Sequence, residues 1–365
     1  MMSYCSGLQR SDETWKKRIS SLQKDLEEKE LDGWLIEDPL DLYYLTGLSL
    51  SLGELWVSKK EAMLLVDARY LEEAKSKCTI FAALTSLAEK QGFLSRNRIC
   101  KIGFDSAKTS FENAQKLFKL EEGKISWKGI PGITQQVRKV KEEKELVLIR
   151  KSASLLWEGY LYIKSILREG ISEREVAKKF EIFSLEKGAD GLSFEPIIAF
   201  GENSAYPHYR AGNRTLKRGD VVLIDIGLRV EKYASDMTRT LFFQTADPFL
   251  SNWLDLVIEA EQSAIASAKV GTLVSDLDKA ARSVFKQANV EPYFIHSLGH
   301  GIGLEVHEFP RIRFDVVGGS IEPGMVFTIE PGLYLPGKGG VRYEDMFIAT
   351  ETGLVNLFPV DRETL

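Results

Sequence analysis

The stretch DVVLIDIGLRVEKYASDMTRT, residues 220–240, decides the fold. Its first half is an apolar run of strand length with one acid inside it, Asp225 among Val, Leu and Ile. Its second half carries another acid, Asp236. A buried, unpaired carboxylate costs on the order of several kcal/mol, so it must find a partner or stay protonated. One such acid alone reads as an edge strand or a buried ion pair. Two change the reading. If the stretch folds back as a hairpin, the midpoint of 225 and 236 falls between Val230 and Glu231. The two aspartates then face each other across the ladder, with Cβ atoms about 4.5–5.5 Å apart.

The same test applies downstream. GMVFTIEPGLY (324–334) places Glu330 in apolar company, and VRYEDM (341–346) carries Glu344. Their midpoint is Gly337, the centre of the turn-forming run PGKGG (336–340). Like charges directly opposite one another destabilise a strand pair, so two such pairs in one domain call for compensating cations. Two divalent ions would offset the four carboxylates and leave room for a bridging hydroxide. Three of the four histidines, His296, His300 and His307, fall in HSLGHGIGLEVHEFP (296–310), interleaved with glycines; His208 is the fourth. A lone histidine reads as a structural residue, but three this close, with glycine letting the backbone approach, suit a metal or substrate. Carboxylates with imidazole favour Mn, Co or Zn over Mg or Ca.

Outward from these strands the chain reads as two domains, and its 365 residues are enough for both. Residues 1–132 alternate short strands with helices, an α/β pattern closed by Ile130-Pro131-Gly132. In residues 133–365 a long helix, EEKELVLIRKSASLLWEGYLYIKSIL, is followed by helices expected at 172–187, 247–269 and 274–288, with strands between and after them. The fold class expected is therefore α+β. A net charge of -5 supplies no basic footprint for nucleic acid or an anionic membrane. No run approaches the roughly 18 apolar residues of a membrane span. The opening MMSYCSGLQRSDETWKK has no apolar middle section of a secretory signal, and Cys5, Cys78 and Cys100 are scattered without pairing. A cytoplasmic setting is expected.

Taken in order, DIG (225–227), SDMTRT (235–240), GHGIGLEVHEFP (299–310), TIEPG (328–332) and VRYEDM (341–346) resemble the metal-binding signature of the pita-bread metallopeptidases. Within that group the chain resembles the Xaa-Pro aminopeptidase and prolidase branch. LDGWLIEDPLDLYYLTGL (31–48) and VDARYLEEA (66–74) look like that branch's creatinase/prolidase-type N-terminal domain. The resemblance implies a curved antiparallel sheet in the catalytic domain. It also implies metal ligands at Asp225, Asp236, His300, Glu330 and Glu344, with Asp236 and Glu344 bridging two ions, Mn by expectation and Co or Zn as alternatives. Glu330 would also move the proton. His208, in AYPHYR (205–210), and His307 resemble histidines that hold substrate and steady the oxyanion. His296 resembles a histidine lining a proline pocket, and Arg342 is expected to pair with a carboxylate or to meet substrate.

The activity implied is hydrolysis of the Xaa-Pro bond at the amino terminus of peptides, by a homodimer. An Xaa-Pro bond lacks the amide N–H and has a restricted φ, which general peptidases handle poorly. Tyr206, Tyr209 and Phe309 are candidate walls for the proline ring. Two positions depart from the family pattern. Tyr343 stands where a small aliphatic residue is usual, and on a strand it points away from Glu344. Tyr206 is bulky before the Pro207-His208 pair and narrows the mouth of the cleft. The alternatives are a prolidase restricted to dipeptides, a methionine-removing aminopeptidase, a metal-free amidinohydrolase and an inactive binding module. The N-terminal domain counts against the second, and the intact ligand set against the last two.

Overall fold

The computed structural model describes residues 12–121 and 123–359; Cys5 and the start of the opening segment lie outside them. Two compact units divide the chain between Val137 and Arg138, at the end of the short helix Ile133–Arg138 that follows Pro131-Gly132.

The first unit is built on a six-stranded mixed sheet. In spatial order its strands are Phe81–Leu84, Ala62–Val66, Glu54–Ser58, Gly33–Ile36, Lys101–Phe104 and Ser126–Gly129. Gly33–Ile36 runs antiparallel to Glu54–Ser58 and parallel to Lys101–Phe104. The alternating pattern expected from sequence is present, with helix Asp12–Glu28 before the first strand and helices Leu71–Lys77 and Phe111–Lys119 between later ones. The two edge strands and the helices Pro39–Thr46 and Leu87–Arg96 escaped the sequence reading. Phe81–Leu84 and Ser126–Gly129 are largely exposed, so they carry no buried apolar run to betray them.

The second unit lays out a pair of helices and then antiparallel strands, twice over. Helices Glu143–Ile166 and Glu173–Glu186 precede the strands between 191 and 242; helices Pro248–Ser267 and Val274–Gln287 precede those between 299 and 356. Their starts follow local chemistry. The Ser172 hydroxyl accepts from Glu175 N–H, and the Asp247 carboxylate accepts from the amides of Phe249 and Leu250, with Pro248 preset for the first turn. Among the described residues the strands form four antiparallel sheets rather than one continuous sheet, and an isolated bridge between Thr238 and Glu344 links two of them.

Period-two alternation separates core from site. Phe327, Ile329, Val341 and Tyr343 pack into one apolar cluster with Trp253, Val257, Leu277 and Phe285 of the second helix pair. Thr328, Glu330, Arg342 and Glu344, the alternate residues, therefore point to the other face. Each fully buried large apolar side chain contributes about 1.5–3 kcal/mol, which offsets the seating of charged groups opposite.

The register bears out one hairpin expectation and corrects the other. Ile329 pairs with Asp345 on one side and Gly332 with Arg342 on the other, so Glu330 falls opposite Glu344 with Gly337 at the turn. In the upstream hairpin, however, Asp225 pairs with Thr238 and Ile226 with Met237. The turn is centred on Glu231-Lys232, both with positive φ, one residue later than expected. Moving the centre by one residue slides partners by two, which keeps both aspartates on one face but makes them diagonal rather than opposed.

Candidate metal centre

Asp236, His300 and Glu344 present ligand atoms that all lie within 4.8 Å of one another, and all three are buried. The His300 Nε2 lies 3.7 Å from Asp236 Oδ2 and 3.5 Å from Glu330 Oε1. Asp225 enters from the neighbouring strand, and its charge pushes up the pKa of Asp236, Glu330 and Glu344. The structure thus gathers all five carboxylate and imidazole positions singled out in the sequence.

His300 stands in a slot made by its glycines. A Cβ on Gly299 would come 2.1 Å from the Thr328 carbonyl oxygen, and one on Gly301 the same distance from that of Phe309. Backbone cannot retreat that far, so only glycine fits at either position. The His300 Nδ1 lies 3.2 Å from the Gly301 carbonyl oxygen. A carbonyl only accepts, so Nδ1 carries the proton and Nε2 faces the carboxylates with its lone pair. Burial, and after it the neighbouring His307, lower the His300 pKa to about 3 and keep the ring neutral. This is the tautomer a metal ligand requires.

The carboxylates are packed as if a cation belonged among them. Burial first, then repulsion from Glu344, Asp225 and Glu330, raises Asp236 well above the ordinary carboxylate range. Glu330 is raised for the same reasons, with Glu344 as its main repelling neighbour. Glu344 is pushed up to about 8 by burial and then by Asp225. Asp225 is raised by burial, against the pull of Arg342. Among the described residues, Asp225 Oδ1, Asp236 Oδ1 and Glu344 Oε1 are buried oxygens with no hydrogen-bond partner. Three orphaned acceptors beside a bare imidazole nitrogen fit divalent cations.

Arg342 is buried and fully engaged. Its guanidinium donates to Asp225 Oδ2 at 2.5 Å, to Thr238 Oγ1 at 3.0 Å and to the Tyr334 hydroxyl at 2.7 Å. Arg342 thus pairs with the carboxylate of Asp225, buried rather than at the surface. Thr238 in turn donates to Glu344 Oε2 at 2.8 Å. The Tyr334 hydroxyl sits 2.9 Å from His296 Nε2, and His296 Nδ1 lies 2.8 Å from the Ser297 carbonyl oxygen. That carbonyl fixes the proton on Nδ1, so Tyr334 donates to Nε2 and both nitrogens of His296 are occupied. Burial and the charge of Arg342 lower its pKa to about 3. His296 thus has no free nitrogen for substrate. Tyr343 packs on the far face, against the Arg239 guanidinium at 4.2 Å, and leaves Glu344 undisturbed.

His307 and His208 lie at the exposed side. The rings of His300 and His307 stand 4.3 Å apart at 75°. The His307 pKa is lowered by burial and then by the charge of His208. His208 is also felt at Asp225 and His296, which locates it beside the centre. Tyr206 is 55% exposed, open enough to meet a ligand. Tyr209 is instead tied down: its hydroxyl donates to Glu173 Oε2 at 2.8 Å, and its pKa is pushed up to about 12 by burial and Glu173. Thr238, Tyr334 and Glu173 were missed in the sequence. The first two share a face with Asp225 and Arg342 once the correct registers are known. Nothing local marks Glu173.

Residues 147–351 match Metallopeptidase family M24, and residues 18–140 match the Creatinase/Prolidase N-terminal domain. The chain is 35% identical to the Xaa-Pro dipeptidase of Pyrococcus furiosus over 353 residues, 96% of this chain and all of that one. It superposes on the Xaa-Pro dipeptidase from Bacillus anthracis with a TM-score of 0.91 and 29% identity, covering 96% of this chain and 99% of the other. For the X-Pro aminopeptidase from Thermotoga maritima the TM-score is 0.83 and the identity 30%, over 95% and 98% of the two chains.

Proposed function

The chain belongs to metallopeptidase family M24, and from that premise we propose that it hydrolyses Xaa-Pro bonds at the amino terminus of peptides with two divalent cations. The observation that carries this reading is the buried cluster of Asp236, His300 and Glu344, with orphaned oxygens on Asp225, Asp236 and Glu344 and the His300 proton held on Nδ1. Asp225, Asp236, His300, Glu330 and Glu344 are the residues that would hold the ions. Mn is the expected metal, with Co and Zn accepted by the same donors. When bound, the ions neutralise the carboxylates and activate a water for attack on the scissile carbonyl.

The chain's own residues do the rest. Glu330 takes a proton from the attacking water and passes it to the departing proline nitrogen. His208 and His307 donate to the substrate carbonyl oxygen as it becomes an oxyanion. Tyr206 forms an exposed wall of the cleft. His296, its nitrogens engaged, contributes shape alone, and Arg342 orients Asp225 instead of touching peptide.

The relatives named as Xaa-Pro dipeptidases favour a second, narrower reading, in which only dipeptides are cleaved. One experiment separates the two. Chelator-stripped protein reloaded with Mn is given an Xaa-Pro-Xaa tripeptide, an Xaa-Pro dipeptide and a Met-Ala-Xaa control. Release of the first residue from the tripeptide supports the aminopeptidase. Cleavage of the dipeptide alone supports the narrower reading, and cleavage of the control alone overturns both.

A further inference from the structure

Beneath the His300–His307 pair lies a cluster of charges that the reaction does not use. Glu308 follows His307 directly and opens the strand Glu308–Ile312, where it pairs with Gly301, the residue after His300. Its Oε1 accepts from Lys141 Nζ at 2.6 Å, and its Oε2 accepts from Arg138. Arg138 also reaches Glu305 Oε2 at 3.1 Å. The side chains of Arg138, Lys141 and Glu308 are 2%, 1% and 2% exposed. Burial pushes the Glu308 pKa up, but Lys141 and Arg138 more than cancel that and hold it ionised.

A buried ion cluster is a poor way to gain stability, since apolar residues of similar volume do as well or better. What it provides is direction. Both oxygens of Glu308 are committed to fixed partners some 170 residues upstream, so the carboxylate cannot rotate. The turn before it is wrapped onto that carboxylate: a Cβ on Gly303 would sit 2.5 Å from Glu308 Oε1, and the Glu305 amide points at Oε2 from 3.4 Å. His307, the residue immediately before Glu308, is exposed and packs its ring against that of His300.

We propose that Glu308, clamped by Arg138 and Lys141, is a positioning residue for His307 and acts on turnover only through that ring. The proposal rests on the role given to His307 above. A misplacement of about 1 Å costs on the order of 10²-fold in rate. Glu308→Gln keeps the volume and removes the charge that both cations require, so it should lower kcat by about 10- to 100-fold with KM within about twofold. Lys141→Met, which leaves the Arg138 contact, should give a smaller loss of the same kind and serves if Glu308→Gln does not fold.

The test is a double-mutant cycle with His307→Ala, alongside spectra of the metal-free protein labelled with 15N-histidine, whose four imidazoles are few enough to assign. Expected are shifted His307 ring resonances in Glu308→Gln and Lys141→Met, with wild-type metal stoichiometry on reloading and no further loss of kcat when His307 is already alanine. Unmoved resonances overturn the proposal, as does a fold-loss that is the same in both backgrounds. Full activity of His307→Ala by itself would instead overturn the functional role of that histidine, a result distinguishable from additivity on a crippled His307→Ala.

Discussion

The Arg342 guanidinium holds Asp225 Oδ2 at 2.5 Å and leaves Oδ1 of the same carboxylate without a partner. One oxygen is fixed by the protein and the other offered to the site. Arg342 also ties Thr238 and Tyr334, so one planar fork sets three neighbours at once. A lysine has a single point charge and cannot reproduce that.

Arg342→Lys should therefore lower metal affinity and kcat by about 10- to 100-fold, the range for residues that orient a ligand. KM should change by less than about threefold, because the proposed role of the side chain is to orient Asp225. Calorimetric metal titration and steady-state kinetics check this. A rise in KM alone would return Arg342 to the substrate.

Asp236 is the acid on which the other three carboxylates converge electrostatically. Asp236→Ala should reduce metal stoichiometry and cut kcat/KM by more than about 100-fold, beyond the loss from a residue that only orients a ligand. Elemental analysis of the reloaded protein decides it. Two ions retained with full activity would remove Asp236 from the ligand set.

The raised carboxylates also set a pH dependence. A carboxyl whose folded pKa lies above its unfolded value binds more protons folded than unfolded, so its contribution to stability falls as pH rises. For Glu344 the window runs from the ordinary carboxylate range up to about 8. Metal-free protein should lose stability across that window, by at most about 1.4 kcal/mol per pH unit for each group, and its Tm should fall accordingly. Added Mn should restore more stability at pH 8 than at pH 5, since the ions bind the charged forms. A metal-free Tm that rises with pH would contradict the assignment.

How much of this was legible beforehand depends on where the information lay. Acids in apolar strands marked the centre because a buried charge is costly wherever it sits, and the Gly337 hairpin came out right because its turn residues are explicit. The upstream hairpin was misplaced by one residue because Glu231 and Lys232 adopt positive φ without the Gly or Asn that usually announces it. Glu173, Arg138 and Lys141 could not be read at all. Each looks like any charged residue near a helix end until the strands it serves, far away in sequence, are folded against it.

Glu173 illustrates this and gives the last prediction. It is 0% exposed, and its carboxylate accepts four hydrogen bonds. Phe200 N and Asn203 Nδ2 donate to Oε1 at 2.8 and 2.9 Å; the Tyr209 hydroxyl and Gly212 N donate to Oε2 at 2.8 and 3.1 Å. All four donors belong to the segment that carries Tyr206 and His208, so one buried acid holds that loop in place. In Glu173→Gln one oxygen becomes an NH2 group, and two of the donors lose their acceptor. Each buried unsatisfied donor costs about 1–3 kcal/mol, so stability should fall by about 2 kcal/mol or more. The loosened loop should raise KM for an Xaa-Pro peptide more than it lowers kcat, with metal content unchanged, because no metal-binding position lies between 200 and 212. Urea unfolding, kinetics and elemental analysis on one preparation separate these effects. A lower stability with wild-type KM would mean that Glu173 braces the fold without setting the place of His208.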